Sequence, residues 1–237
     1  MIAFAKLVDK GDDATFRTEI ASYLDIDNYL RFLATTAFLA NTDSFFVLGH
    51  NYYLYLHPQT KKLHFLPWDL DRAFANFGFA DQNMNLSLTH PYGGTHRLTE
   101  RLLTVPETAA KYQQILEELA AGPFAKDRFL KDLQALEKGT KELLERDAKT
   151  AADRKEGTGG PGARGGMFGQ PPALATFIEK RTESVKAQRE GKSQGFVPAA
   201  FGGPGGFGGG PGPFGGPRGF GAIGRPGEIV PPPCRTS

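Results

Sequence analysis

Four oxygen-bearing side chains, Asp43, Asn51, Asp69 and Asp71, lie within one aromatic and aliphatic stretch, NTDSFFVLGHNYYLYLHPQTKKLHFLPWDLDRAFANFG, running from Asn41 to Gly78. Carboxylates and a carboxamide are ligands for a hard cation. Mg2+ binds through few carboxylates and keeps room for phosphate oxygens, so two or three such groups converging at a strand end suit it. Whether they converge depends on the segment between them. Asn51 to His57 (NYYLYLH) and Leu63 to Pro67 (LHFLP) are short apolar runs with little that favours a helix. Pro58-Gln59-Thr60-Lys61-Lys62 separates them as a proline-led turn, which predicts an antiparallel hairpin. The open ends of such a hairpin lie together, making Asn51 and Asp69 neighbours. Asp43 enters ahead of the first strand and Asp71 follows the second.

The same residues have plainer readings. Acids beside a buried Trp68 can cap a strand and stabilise a turn. Asp71 either completes the site, or bonds the local backbone or pairs with Arg72. His50 reads as a loop-holding residue. His57 and His64 flank the turn, far from the carboxylates, and do not supply the converging ligands of a zinc site.

The flanking sequence must position these groups. Met1 to Val8 reads as a short apolar segment, Asp9 to Asp13 as a turn and Thr15 to Leu24 as a helix. Asp25 or Asp27 caps the next helix, on which Ile26, Tyr29, Leu30, Leu33, Ala37 and Ala40 share a face. That helix is expected to end at Asn41 and deliver Asp43 to the hairpin, with Phe45-Phe46-Val47-Leu48 bulging out before Asn51. From Asn76 to Thr95 the chain reads as irregular, either a mobile substrate-facing loop or a long surface connection. A helical half follows. Arg97 to Leu103 opens it, and Val105-Pro106-Glu107 starts a helix that stops at Gly122-Pro123. A long helix from Lys126 to Arg154 presents Phe129, Leu133, Leu136, Leu143 and Leu144 as its apolar side. Gly157 to Gln170 is a linker by composition. Pro171-Pro172 introduces a last helix, Ala173 to Glu190, with Leu174, Phe177, Ile178, Arg181 and Val185 on one face.

The run HNYYLY, then FLPWDLDRAF and the closing FANFG, resembles the signature of the CotH family, the spore-coat protein H kinases, which are atypical and mostly secreted protein kinases. The similarity spans about Tyr23 to Lys192 and includes LATFIEKRTESVKAQREGK at its end. It implies an α+β, mainly helical, kinase-like C-lobe with one β-hairpin over residues 1–192. It also implies ATP as co-substrate, Mg2+ or Mn2+ as cofactor, and a protein hydroxyl, extracellular or in the cell envelope, as acceptor. By the resemblance Asp43 is the catalytic aspartate, Asn51 and Asp69 hold the metal against the nucleotide phosphates, and Asp71 is a further metal candidate. The spacing departs from the general kinase pattern. Asp43 and Asn51 are eight residues apart, against five in H-R-D-x-x-x-x-N.

The rest of the composition sets limits. The 237 residues are 40% hydrophobic and 11% aromatic, enough for one domain with a core plus a tail. A net charge of +2 gives no reason to expect nucleic acid. Cys234, the single cysteine, excludes a disulfide within the chain and a cysteine-based zinc site. No apolar run is long enough to span a membrane, and MIAFAKLVDKGDD is too short and too soon acidic for a secretory signal. Residues 193–237 are Gly, Pro and Phe in imperfect repeats and are expected to be disordered. Neither a Gly-rich loop nor a strand lysine precedes Asp43. The expectation is therefore that a nucleotide-covering N-lobe and a signal peptide lie upstream, and that this chain alone is inactive. It also follows that the apolar surface around Phe45, Phe46 and Trp68 is open to self-association. The alternative function is a non-catalytic surface or matrix protein that uses the lobe as a module and the Gly/Phe tail for contact.

Overall fold

The computed structural model describes residues 1–153 and 171–199. The linker from Gly157 to Gln170 and the tail from residue 200 onward lie outside the described residues. Eight helices and one hairpin make up the described chain, so the fold is mainly helical with a two-stranded antiparallel sheet.

Helix α1 (Ile2–Lys10) takes up the short apolar segment at the start of the chain, because Phe4 and Leu7, a near-turn apart, both reach the core. Helix α2 (Asp13–Tyr23) is capped by Asp12, whose carboxylate accepts from the Thr15 amide at 2.9 Å. Asp25 caps α3 (Ile26–Phe38), accepting from the Asn28 amide at 3.0 Å, while Asp27 in the first turn pairs with Arg31. Helix α3 is the central element. Tyr29, Leu30, Leu33, Ala34 and Ala37 are fully buried on it. It ends at Phe38, earlier than its apolar face suggests, because Ala40 adopts a left-handed φ of 47°.

Strand β1 (Tyr52–Leu56) pairs with β2 (Leu63–Pro67), with Tyr52 opposite Pro67 and Leu56 opposite Leu63. The inward face of β2, Leu63 and Phe65, packs on α3. Phe65 lies 5.1 Å from the Tyr29 ring and 5.9 Å from Phe32. The expected outward bulge at Phe45 to Leu48 runs the other way. Phe46 is 2% exposed and Phe45 is half-buried, their rings against Phe32, Tyr52 and Phe65. Two more aromatic rings in the core outweigh whatever a solvent-facing bulge would gain in backbone hydration.

The segment after the hairpin is largely packed rather than a mobile connection. It contains α4 (Ala80–Met84), and Asn83, Met84, Leu86, Ser87, Leu88, Pro91 and Tyr92 are buried. Helices α5 (Arg97–Leu103) and α6 (Pro106–Ala121) complete the main core, where Leu102, Tyr112, Ile115 and Leu116 join α3. A second cluster forms between α7 (Lys126–Asp153), α8 (Leu174–Arg189) and the α4 region, around Leu133, Phe177, Ile178, Met84 and Leu86. Only the first part of α7 takes part. Leu136, Leu143 and Leu144 are 66%, 62% and 62% exposed, so its predicted apolar side is covered only as far as Leu133.

The chain beyond α8 also departs from expectation. Composition starts the tail at residue 193, yet Phe196 pairs with Leu86 in a parallel bridge, accepting from the Ser87 amide at 2.8 Å and donating to the Asn85 carbonyl at 2.6 Å. Its ring packs against the second cluster and Pro198 is buried. Glycine-rich composition reports low average burial and misses a single aromatic anchor with two backbone bonds.

Candidate active site

Helix α3 and the hairpin meet at the polar groups singled out in the sequence. After Phe38 the chain turns through Ala40, and the Asn41 side chain accepts from the Asp43 amide at 3.1 Å. Thr42 is tied down from the far side. Its hydroxyl donates to the Phe77 carbonyl at 3.3 Å, and buried Asn83 donates both to that hydroxyl and to the same carbonyl. Asp43 is thereby presented on an anchored turn.

Asn51 lies just outside the first strand, and its side-chain amide donates to the Asp43 carbonyl at 2.9 Å. Its own carbonyl accepts from the Trp68 amide at 3.1 Å, so the residue opposite Asn51 is the one before Asp69. The eight-residue span from Asp43 to Asn51 is closed by a turn in which the Ser44 carbonyl accepts from Val47, Leu48 and Gly49. The longer spacing is thus taken up by an inward-packed loop, and the Asn51 side chain still reaches the Asp43 backbone.

The nitrogen of the Asn51 carboxamide is committed to Asp43, which leaves its oxygen as the available acceptor. An amide oxygen beside carboxylates is a donor set for Mg2+ or Mn2+, not for a soft metal. Asp69 and Asp71 are exposed, and both act on Asp43 through their negative charge. Asp71 Oδ2 lies 3.7 Å from Arg72 Nε, the pairing arrangement. Among the described residues no three His, Cys, Asp or Glu side chains form a ready metal-ligand cluster. Asn51 and Asp69 are brought to the same end of the hairpin by the bond from the Trp68 amide to the Asn51 carbonyl.

The fold perturbs the protonation of Asp43. Burial raises its pKa first of all, the charges of Asp71 and Asp69 add to the rise, and His50 and Arg72 oppose it. Nε2 of His50 is 3.4 Å from Asp43 Oδ1. His50 thus lies beside the Asp43 carboxylate, at the turn that leads into Asn51. Trp68 is not buried. It is 56% exposed and makes an edge contact at 5.0 Å with Tyr53 on the outer face of the hairpin. His64, read as a surface residue, is half-buried and reaches Asp25 at 3.6 Å.

Backbone strain gathers at the same place. Of the described non-glycine residues with positive φ, Ala40, Asn51, Asp69, Phe74 and Ala75 all border this site, leaving only Lys61 in the hairpin turn. Asn and Asp tolerate this conformation, whereas an aromatic such as Phe74 does so at a cost that its surroundings must offset. Phe74 is held by a 2.7 Å bond from its amide to the Leu39 carbonyl and by its ring against Phe177.

Arg181 has a part that periodicity could not assign. It is 2% exposed and meets no carboxylate, and its guanidinium donates to the carbonyls of Ala37 (2.8 Å), Phe38 (3.3 Å), Met84 (3.2 Å) and Leu86 (2.7 Å). Two of these are terminal carbonyls of α3, the negative end of its dipole. Burial lowers the Arg181 pKa to about 9, which still leaves it charged at neutral pH. From the last helix it clamps the end of α3 that carries Asp43. The sequence signal was a lone arginine on an otherwise apolar helical face.

The chain belongs to the CotH kinase protein family, whose profile matches residues 1–185. It is similar to the inner spore coat protein H of Bacillus subtilis (strain 168), with 33% identity over 105 residues. That match covers 44% of this chain and 28% of the relative, so the chain spans well under half the length of the curated protein that it matches. No helix among the described residues is long and apolar enough to cross a membrane.

Proposed function

We propose that this chain carries the acceptor-side and metal-side residues of a CotH-type protein kinase, which transfers the γ-phosphoryl group of ATP to a hydroxyl of a protein in the spore coat or cell envelope. The observation that carries the reading is the bond from the Asn51 carboxamide to the Asp43 backbone, which unites the two residues at the hairpin's open end. In this role Asp43 orients the acceptor hydroxyl and takes its proton as the oxygen bonds to phosphorus and the bond to the ADP oxygen breaks. A raised pKa makes that carboxylate a better base than an exposed one. His50, within 3.4 Å, fixes its orientation. Asn51 and Asp69 hold Mg2+ or Mn2+, which when bound neutralises the phosphate charge. Asp71 stays with Arg72 or turns to the metal as an outer ligand.

Asp69→Asn tests the reading, in a form of the protein whose wild type incorporates phosphate. It is expected to reduce phosphate incorporation by at least about a hundredfold, with little change in melting temperature, because Asp69 is exposed and contributes no core packing. Undiminished transfer by a folded Asp69→Asn protein would remove Asp69 from the site, and a wild type that transfers phosphate in no form would support the alternative, a non-catalytic module.

A further inference from the structure

Helix α7 runs on for 28 residues, yet its contacts with α8 and the second core cluster involve Phe129, Leu130 and Leu133. From residue 134 to 150 every position except Thr140 is exposed. A projecting helix of that length is marginal in water without a packed face. This one carries an apolar stripe that is left unpacked. At about 100° per residue, Leu133, Leu136, Thr140, Leu144 and Asp147 fall along one line, flanked by Leu143 on one side and Glu137 and Lys141 on the other. The Thr140 hydroxyl is turned back onto the Leu136 carbonyl at 2.8 Å, which directs its methyl outward along the stripe.

We propose that this half of α7 is a dimerisation element that packs antiparallel on the α7 of a second copy of the chain, with the two-fold axis at Thr140. Two features select this occupant. An antiparallel pairing centred on Thr140 lays Leu136 of one copy against Leu143 of the other. On the opposite flank it brings Glu137 of one copy beside Lys141 of the other. By symmetry each contact occurs twice, so the stripe is self-complementary in shape and in charge. A parallel pairing fails on both counts. It would set Asp147 against Asp147 near the seam, whereas the antiparallel one separates them by about 21 Å. Thr140 at the crossing is small enough for the helices to approach. The exposed leucines give a small interface, so the dimer is weak and concentration-dependent.

The proposal is independent of the phosphoryl-transfer reading and is tested on the full 237-residue chain by sedimentation equilibrium from about 5 to 500 µM. The wild type is expected to move from monomer to dimer across that range, and Leu136→Glu with Leu143→Glu is expected to stay monomeric. Glu137→Lys and Lys141→Glu each place like charges opposite one another in a homodimer and should weaken it about fivefold or more. An equimolar mixture of these two single variants restores both contacts in the heterodimer, which an interaction within one chain cannot do. Recovery on mixing supports the proposal. A wild type that stays monomeric throughout, with the stripe then covered by another part of the chain or a different protein, overturns it. So does a dimer that survives the leucine changes, or a mixture that shows no recovery.

Discussion

Asp43 sits where its charge is disfavoured, and this has a measurable consequence. In the folded chain burial holds its pKa above the ordinary carboxylate value. Between the ordinary value and the raised one, the native state keeps a proton that the unfolded state has lost. Stability from this group is therefore complete at low pH, falls as pH rises through that window, and stays reduced above it. Asp43→Asn removes the liability. Its melting temperature is expected to exceed that of the wild type at pH 7, with the difference shrinking toward pH 3. Thermal melts of both proteins across pH check the sign, and a variant less stable at pH 7 would contradict it. Arg181 is the opposite case, a buried charge on which four carbonyls depend. Arg181→Met should cost at least about 3 kcal/mol in denaturant melts, since orphaned buried acceptors cost about 1–3 kcal/mol each. Arg181→Lys should recover little, because an ammonium cannot reproduce the planar fork.

At the level of elements, the site is made by the end of one helix and the open end of one hairpin, each held by something remote in sequence. Helix α3 is held by Arg181 from α8, and the turn after it by Asn83 from α4. The docked stretch after α8 belongs to the same support. Phe196 bridges to Leu86, whose carbonyl also accepts from Arg181 and from Gln188. Deleting residues 195–237 is therefore expected to lower stability by about 1–2 kcal/mol more than deleting 200–237, the difference being one partly buried aromatic and its backbone bonds. Paired thermal melts of the two truncations measure it. Equal melting temperatures would mean that Phe196 contributes nothing to the lobe.

On the scale of the whole molecule, the proposed function makes the described residues one wall for a nucleotide. The groups that would meet phosphate, Asn51 and Asp69, lie at an open hairpin end, and Trp68 and Tyr53 beside them are more than half exposed. Phosphoryl transfer is mostly positioning and charge stabilisation, and one wall supplies little of either. The 237-residue chain is accordingly expected to bind Mg-ATP no tighter than about the millimolar range and to incorporate no phosphate unaided. Calorimetric titration beside an autophosphorylation assay checks this. Micromolar affinity or stoichiometric incorporation would mean that the chain builds a complete site.

What could be read directly from the chain was what neighbouring residues enforce on one another. The hairpin follows from two apolar runs around a proline-led turn, and the pairing of Asn51 with the Trp68-Asp69 end follows from the hairpin. Helix α3 follows from its apolar spacing and its Asp25 cap, and PWDLD with HNYYLY points to the family. Contacts across long separations were not legible, because no local pattern encodes them. Periodicity marks Phe46 as apolar but cannot say whether the loop that holds it faces in or out. Packing against Phe32 and Tyr29 settles that. Composition marks the start of a Gly-rich tail but not the one phenylalanine that docks. The partners of Arg181 lie about a hundred or more residues away in sequence, so its role exists only once α8 has closed on the end of α3. That closure fixes the end of α3, from which the chain continues to Asp43.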